Sequence, residues 1–188
     1  SVVVSVGSLR SSLLRGFSYD AGSVSGSVST NAGLTGSVSL TISGSGMGLS
    51  DRSAEARLGG SACLAAAWTA DSAVRCHTGE GVGGAQAVSV SVDVQVGTLS
   101  AVVTYDGPVV SGVMPGNGGL SGQMSLTVVG SRFGLWDASV KVRVGGSTCV
   151  SSEWTSDSAV RCGVSDGFKT GRGVVVTVGG QSGELGGV

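Results

Sequence analysis

"GQMSLTVVGSRFGLWDASVKVRVGGSTCVSSEWTSDSAVRC" (residues 122–162) decides how this chain is read, because a second version of it stands upstream: "GSVSLTISGSGMGLSDRSAEARLGGSACLAAAWTADSAVRC" (36–76). The two align without a gap at a shift of 86 residues and agree at 23 of 41 positions. Self-similarity at one long period marks a repeated module. The same shift places "FSYD" (17–20) on "VTYD" (103–106) and Asn31 on Asn117. Val2, Val4 and Val6 fall on Val88, Val90 and Val92, and again on Val174, Val176 and Val178. The 188 residues thus hold two periods of 86 and 16 residues of a third.

Residues 1–20 are therefore expected to be the terminal strands of a preceding repeat, or a donor segment. Residues 21–106 are the first repeat, and 107–188 are the second, lacking its final strand. The expected setting is a longer tandem array, or else a polymer in which chain ends complete a neighbour's fold. Val2, Val4 and Val6, with Phe17 and Tyr19, form the expected inter-repeat or inter-subunit strand, paired with a sandwich outside residues 21–180.

Composition narrows the class. The chain holds 35 glycines and two prolines, has a net charge of −1, and only 12% of its residues are charged. No basic field is present to collect phosphates, which disfavours nucleic acid as a partner. Mean hydropathy is +0.36, and the valines alternate, so the glycine and serine content reads as packed β structure rather than disorder. No apolar run approaches the roughly 20 residues of a membrane helix, and "SVVVSV" at the start has no secretory signal pattern. In "SVKVRVGG" (139–146), Val140, Val142 and Val144 take one face of a strand, and Lys141 and Arg143 take the other. "VSVSVDVQV" (88–96) alternates from Val88 to Val96 and predicts one continuous strand. Short strands between turn signals predict an all-β sandwich.

The repeat resembles the IPT/TIG immunoglobulin-like domain. The family's G-x-x-F-G turn is similar to Gly130, Phe133 and Gly134, with Gly44, Met47 and Gly48 in the first copy. Its G-G-x-x-C is matched by Gly145, Gly146 and Cys149, and by Gly59, Gly60 and Cys63; its closing aromatic strand is matched by "FSYD" and "VTYD". The resemblance covers both modules and implies tandem immunoglobulin-like β-sandwiches. It departs from the family in the prolines: Pro108 and Pro115 face Gly22 and Ser29 in the first copy. The Ser/Gly/Ala-rich style also resembles repeats of green-algal cell-surface and flagellar (mastigoneme-like) proteins.

Each module carries two cysteines 13 apart, Cys63 with Cys76 and Cys149 with Cys162. That is not zinc-finger spacing, and the chain's one histidine, His77, meets Gly163 in the other copy. An intramodule disulfide between adjacent strands is the favoured reading; free structural thiols and metal or catalytic cysteines are the alternatives. Trp68 and Trp154 follow the first cysteine of each pair by five residues, as core filler or as a platform for sugars. Trp136 has no twin, since Ser50 stands opposite, and is the candidate contact aromatic. Asp71 and Arg75 recur as Asp157 and Arg161, without a repeated histidine or lysine to activate a nucleophile. "GEGVGG" (79–84) lacks the lysine and the strand–helix setting of a phosphate loop. No N-x-S/T sequon occurs, and O-linked glycans on serine and threonine are left open.

Together these features predict a non-catalytic structural repeat of an extracellular filament, stalk or cell-surface fibre, with no cofactor or metal. Its expected partners are copies of itself or neighbouring repeats. The rival expectations are an adhesive or carbohydrate-binding module and an accessory domain of a larger secreted enzyme.

Overall fold

A computed structural model describes residues 1–122, 124–167 and 171–187. Among them there is no helix. The chain opens with a hairpin, β1 (Val2–Val6) and β2 (Leu9–Leu13), which forms a two-stranded sheet of its own.

The first module has two facing sheets. One runs β3 (Ser23–Val28), β5 (Ser39–Ser45), β9 (Ala73–His77), β8 (Ala65–Ala70). The other runs β4 (Asn31–Ala32), β11 (Gln95–Tyr105), β10 (Gln86–Val92), β6 (Glu55–Leu58), β7 (Ser61–Ala62). The second module repeats the plan. Its first sheet is β12 (Val109–Met114), β13 (Met124–Ser131), β17 (Ala159–Val164), β16 (Ser151–Ser156). Its second is β15 (Ser147–Thr148), β14 (Lys141–Val144), β18 (Val174–Val178), β19 (Gln181–Leu185).

Alternation explains which face each strand buries, because successive side chains of a strand point to opposite sides. Leu40, Ile42 and Val74 from one sheet meet Leu58, Val88 and Val90 from the other in a single core. Leu126, Val128 and Val160 meet Val142, Val174 and Val176 in the second. Met47 and Phe133 occupy the same place in the two copies and both are fully buried. The turn around them requires glycine for two reasons. A Cβ at Gly44 or Gly130 would run into the Ser23 or Val109 carbonyl oxygen, and Gly48 and Gly134 have φ of +92° and +101°. The first module forms its opening strand without the prolines: β3 pairs β5 with the same register shift that β12 makes against β13.

Two expectations need correction. Val88 to Val96 is not one strand. It breaks at Asp93, whose φ of 56° turns the chain, so Val94 and Val96 leave the buried face and are exposed. Aspartate tolerates the left-handed conformation that a tight hairpin needs, and Gly7 (φ 62°) and Gly179 (φ 55°) stand at the same step of the other two hairpins. The second correction concerns the cysteines. Both disulfides form, with Cα–Cα 5.6 Å in each, but they do not link neighbouring strands of one sheet. Cys63 and Cys149 follow the short strands β7 and β15, while Cys76 and Cys162 sit on β9 and β17 of the facing sheet. Each bridge therefore staples one sheet to the other.

Candidate functional site: the joint between modules

The segment that looked most like chemistry is occupied with structure. Asp71 Oδ1 accepts from the Gly48 N–H at 3.0 Å, and Asp157 Oδ1 accepts from the Gly134 N–H at 3.2 Å, so each aspartate caps the glycine turn. Val74 and Val160 are core, Cys76 and Cys162 are bridged, and Arg75 and Arg161 are exposed on the outer face. Trp68 and Trp154 are half-buried against the two cores, and the Trp68 indole N–H donates to the Met47 carbonyl at 3.1 Å. Among the described residues no cluster of three or more His, Cys, Asp or Glu is arranged to hold a metal.

The joint is built around the closing strand of the first module. β11 ends in Thr104–Tyr105, which runs parallel to Asn31–Ala32 of β4. The Tyr105 ring plugs the end of the sandwich, and its hydroxyl donates to the Gly79 carbonyl at 3.1 Å. A Cβ on Gly81 would strike that ring, so glycine is required there. Burial raises the Tyr105 phenol pKa above its ordinary value of 10.0 by disfavouring the phenolate.

Asp106 follows and clasps both modules. Its Oδ1 accepts from Asn31 Nδ2 at 2.7 Å in the first, and its Oδ2 lies 3.8 Å from Arg132 Nε in the second. The loop "GEGVGG" contributes the apolar half of the joint: Val82 packs against the cores of both modules. Gly83 and Gly179 come so close that a Cβ on either would lie 2.8 Å from the other's backbone. The glycines of this loop thus allow two modules to touch backbone to backbone. Asn31, Tyr105 and Asp106 were visible in the sequence as repeated letters, but only the fold assembles them; Arg132 and Val82 carried no repeated signal.

At the other end, Val2, Val4 and Val6 lie exposed on β1, which among the described residues pairs only with β2. Phe17 and Tyr19 are exposed beyond the hairpin, their rings edge to face at 5.1 Å. Gln95 Nε2 donates to the Tyr19 carbonyl at 2.8 Å. Trp136 is 40% exposed, just past the Gly134 turn.

The IPT/TIG domain pattern matches residues 23–106 and 108–187. No curated protein matches the chain. Among solved structures, the surface glycan-binding protein PbSGBP-B of Prevotella bryantii is similar over 90% of this chain and 42% of its own, at 11% identity and a TM-score of 0.62. A structure determined with a xylogluco-oligosaccharide is similar over 89% and 40%, at 9% identity and a TM-score of 0.54. The extracellular region of plexin A4 aligns over 87% and 17%, at 18% identity and a TM-score of 0.42. This chain spans less than half the length of each. With nearly all of its residues inside two matches, and with two stapled sandwiches repeating one plan, the chain belongs to the IPT/TIG domain family.

Proposed function

We propose that this chain is a structural, non-catalytic repeat of an extracellular filament, stalk or cell-surface fibre. The joint carries this reading: the modules meet with no flexible linker, through a plugged tyrosine, a two-sided aspartate clasp and glycine-to-glycine backbone contact. A force-bearing or spacing element needs its units held in fixed relative orientation. Disulfides support an oxidising, extracellular setting. The finer resemblance to green-algal flagellar hair repeats rests on sequence style alone. Images of the native particle, with its mass under non-reducing denaturing conditions, test the reading. A filament or a very large chain is expected; a compact soluble particle of 18.2 kDa overturns it.

The carbohydrate-binding alternative draws on an open hollow of about 640 Å³ on the second module, lined by Ser125, Ser151, Glu153 and Arg161. The described lining contains no aromatic side chain, and Trp68 and Trp154 face the cores. Retention on a glycan array that is lost in Arg161→Ala would favour that alternative over the filament.

A further inference from the structure

One strand pair of the first module runs differently from all the others. β4 and β11 are parallel where Asn31–Ala32 meets Thr104–Tyr105, and every other strand pair among the described residues is antiparallel. The patch is short but densely bonded. The Thr104 N–H donates to the Thr30 carbonyl at 2.9 Å, and the Asp106 N–H donates to the Ala32 carbonyl at 3.0 Å. Side chains add two more bonds across it. The Thr104 hydroxyl donates to Asn31 Oδ1 at 2.8 Å, and Asn31 Nδ2 donates to Asp106 Oδ1 at 2.7 Å. Behind the patch the buried Tyr105 ring anchors β11 through its bond to the Gly79 carbonyl.

The course of the chain gives this patch a mechanical meaning. The backbone enters the first module through Gly22 into β3, turns at Ser29 (φ 71°) and reaches β4. It leaves the module through Asp106 at the end of β11. Tension across the module therefore draws β4 one way and β11 the other along their common axis. In that geometry the cross-strand bonds share the load and must fail together. A strand peeled from one end instead loses its bonds one at a time. β3 precedes the patch, but its ladder runs to β5 of the facing sheet. Load taken up there reaches β11 only through the core and the Cys63–Cys76 bridge.

We infer that this parallel patch is the tension-bearing element of the first module, locked by the side chains of Asn31, Thr104 and Asp106. That tension is its working load rests on the structural-repeat reading; the lock itself does not. Asp106 serves twice, since its other carboxylate oxygen faces Arg132 of the next module. Forced unfolding is governed by the unfolding rate, and that rate responds to the bonds broken at the barrier. Under tension those are the bonds of the lock, while the core is still packed.

Constant-force spectroscopy of the oxidised chain tests this. Asp20→Cys with Val109→Cys places handles at exposed positions on either side of the first module, and no native thiol is free to compete for them. Glu80→Cys with Val109→Cys places both handles at the Tyr105 end, where tension peels β11 from its tip. At equal force the first arrangement should survive at least about 10-fold longer than the second. In the first arrangement Asn31→Ala and Thr104→Val should each shorten the lifetime about 5- to 10-fold. Val74→Ala, in the core away from the patch, should lower the urea midpoint more than either variant, yet shorten the lifetime less than about 3-fold. Equal lifetimes in the two arrangements overturn the inference, as do lifetimes that follow the urea midpoints with Val74→Ala the shortest. Comparing the two arrangements leaves the patch unaltered, so it decides the matter even if Asn31→Ala misfolds. A lock that fails leaves the structural-repeat reading to the form of the native particle, and a compact native particle leaves the lock standing.

Discussion

One hairpin occurs three times in this molecule, and only two of the three are buried. The pairs Val2–Leu13, Val88–Leu99 and Val174–Leu185 sit in the same register, as do Val4–Ser11, Val90–Gly97 and Val176–Gly183. The local rules of strand and turn are therefore met equally well in all three. Yet Val4 is 61% exposed, while Val90 is 3% and Val176 is 0% exposed. What separates them is the third strand. β10 and β18 are flanked on their free edges by β6 and β14 and faced by a second sheet, whereas among the described residues β1 has only β2. An isolated two-stranded hairpin is marginal in water, and a sandwich is stable because its second layer removes apolar surface from solvent.

Substitutions at matched positions break or sharpen that contrast, and in dilute solution the largest effect belongs to the plug. Tyr105→Ala should cost the first module about 4 kcal/mol by opening a cavity where the ring closed the sandwich. Tyr19→Ala should leave both module transitions in place within about 0.5 kcal/mol. Chemical denaturation followed by tryptophan emission reads both, and equal losses would refute the contrast. Next, paired replacement of Cys149 and Cys162 by serine should destabilise the second module by about 3 kcal/mol in the chain-entropy picture. The first module's melting, resolved by calorimetry, should barely shift.

Smaller effects probe single contacts. Val90→Ala and Val176→Ala should each cost about 2 kcal/mol, against less than about 0.5 kcal/mol for Val4→Ala; urea midpoints decide. Tyr105→Phe should cost about 1 kcal/mol, because the Gly79 carbonyl loses its buried donor. The same variant carries a pH signature. The folded phenol's pKa is raised, so its contribution is fully present below the unfolded value of 10.0 and is lost as pH rises through the higher folded value. Alkaline denaturation should therefore be shallower in Tyr105→Phe than in the wild type, and identical slopes would remove the phenol from the account.

Much of the sandwich was legible because alternation and glycine placement are local. Val140 and Val142 turn to the core as their spacing predicts, and the glycine turns fall where the repeat places them. The Asp93 turn was hidden, since a valine on either side preserved the alternation through the bend. The direction of the disulfides was hidden as well: a separation of 13 fits a bridge within a sheet or across two, and only the stacking of layers chooses. The joint was harder still. "GEGVGG" fails as a phosphate loop on sequence grounds, but its use as a contact depends on the Gly179 turn arriving about a hundred residues later.

Sequence alone determined the repeat, its period and the strand character, because each follows from matched letters or short-range periodicity; it favoured a cysteine pair within each module, and the structure forms both. Tertiary structure decided which copies of the same segment are buried, which sheet each cysteine reaches, and where Tyr105 and Asp106 lock one module to the next. The physical reason is that burial belongs to the assembled layers. A valine or tyrosine with identical neighbours in the chain is core or surface according to what lies across from it, and nothing within 20 residues of it encodes that.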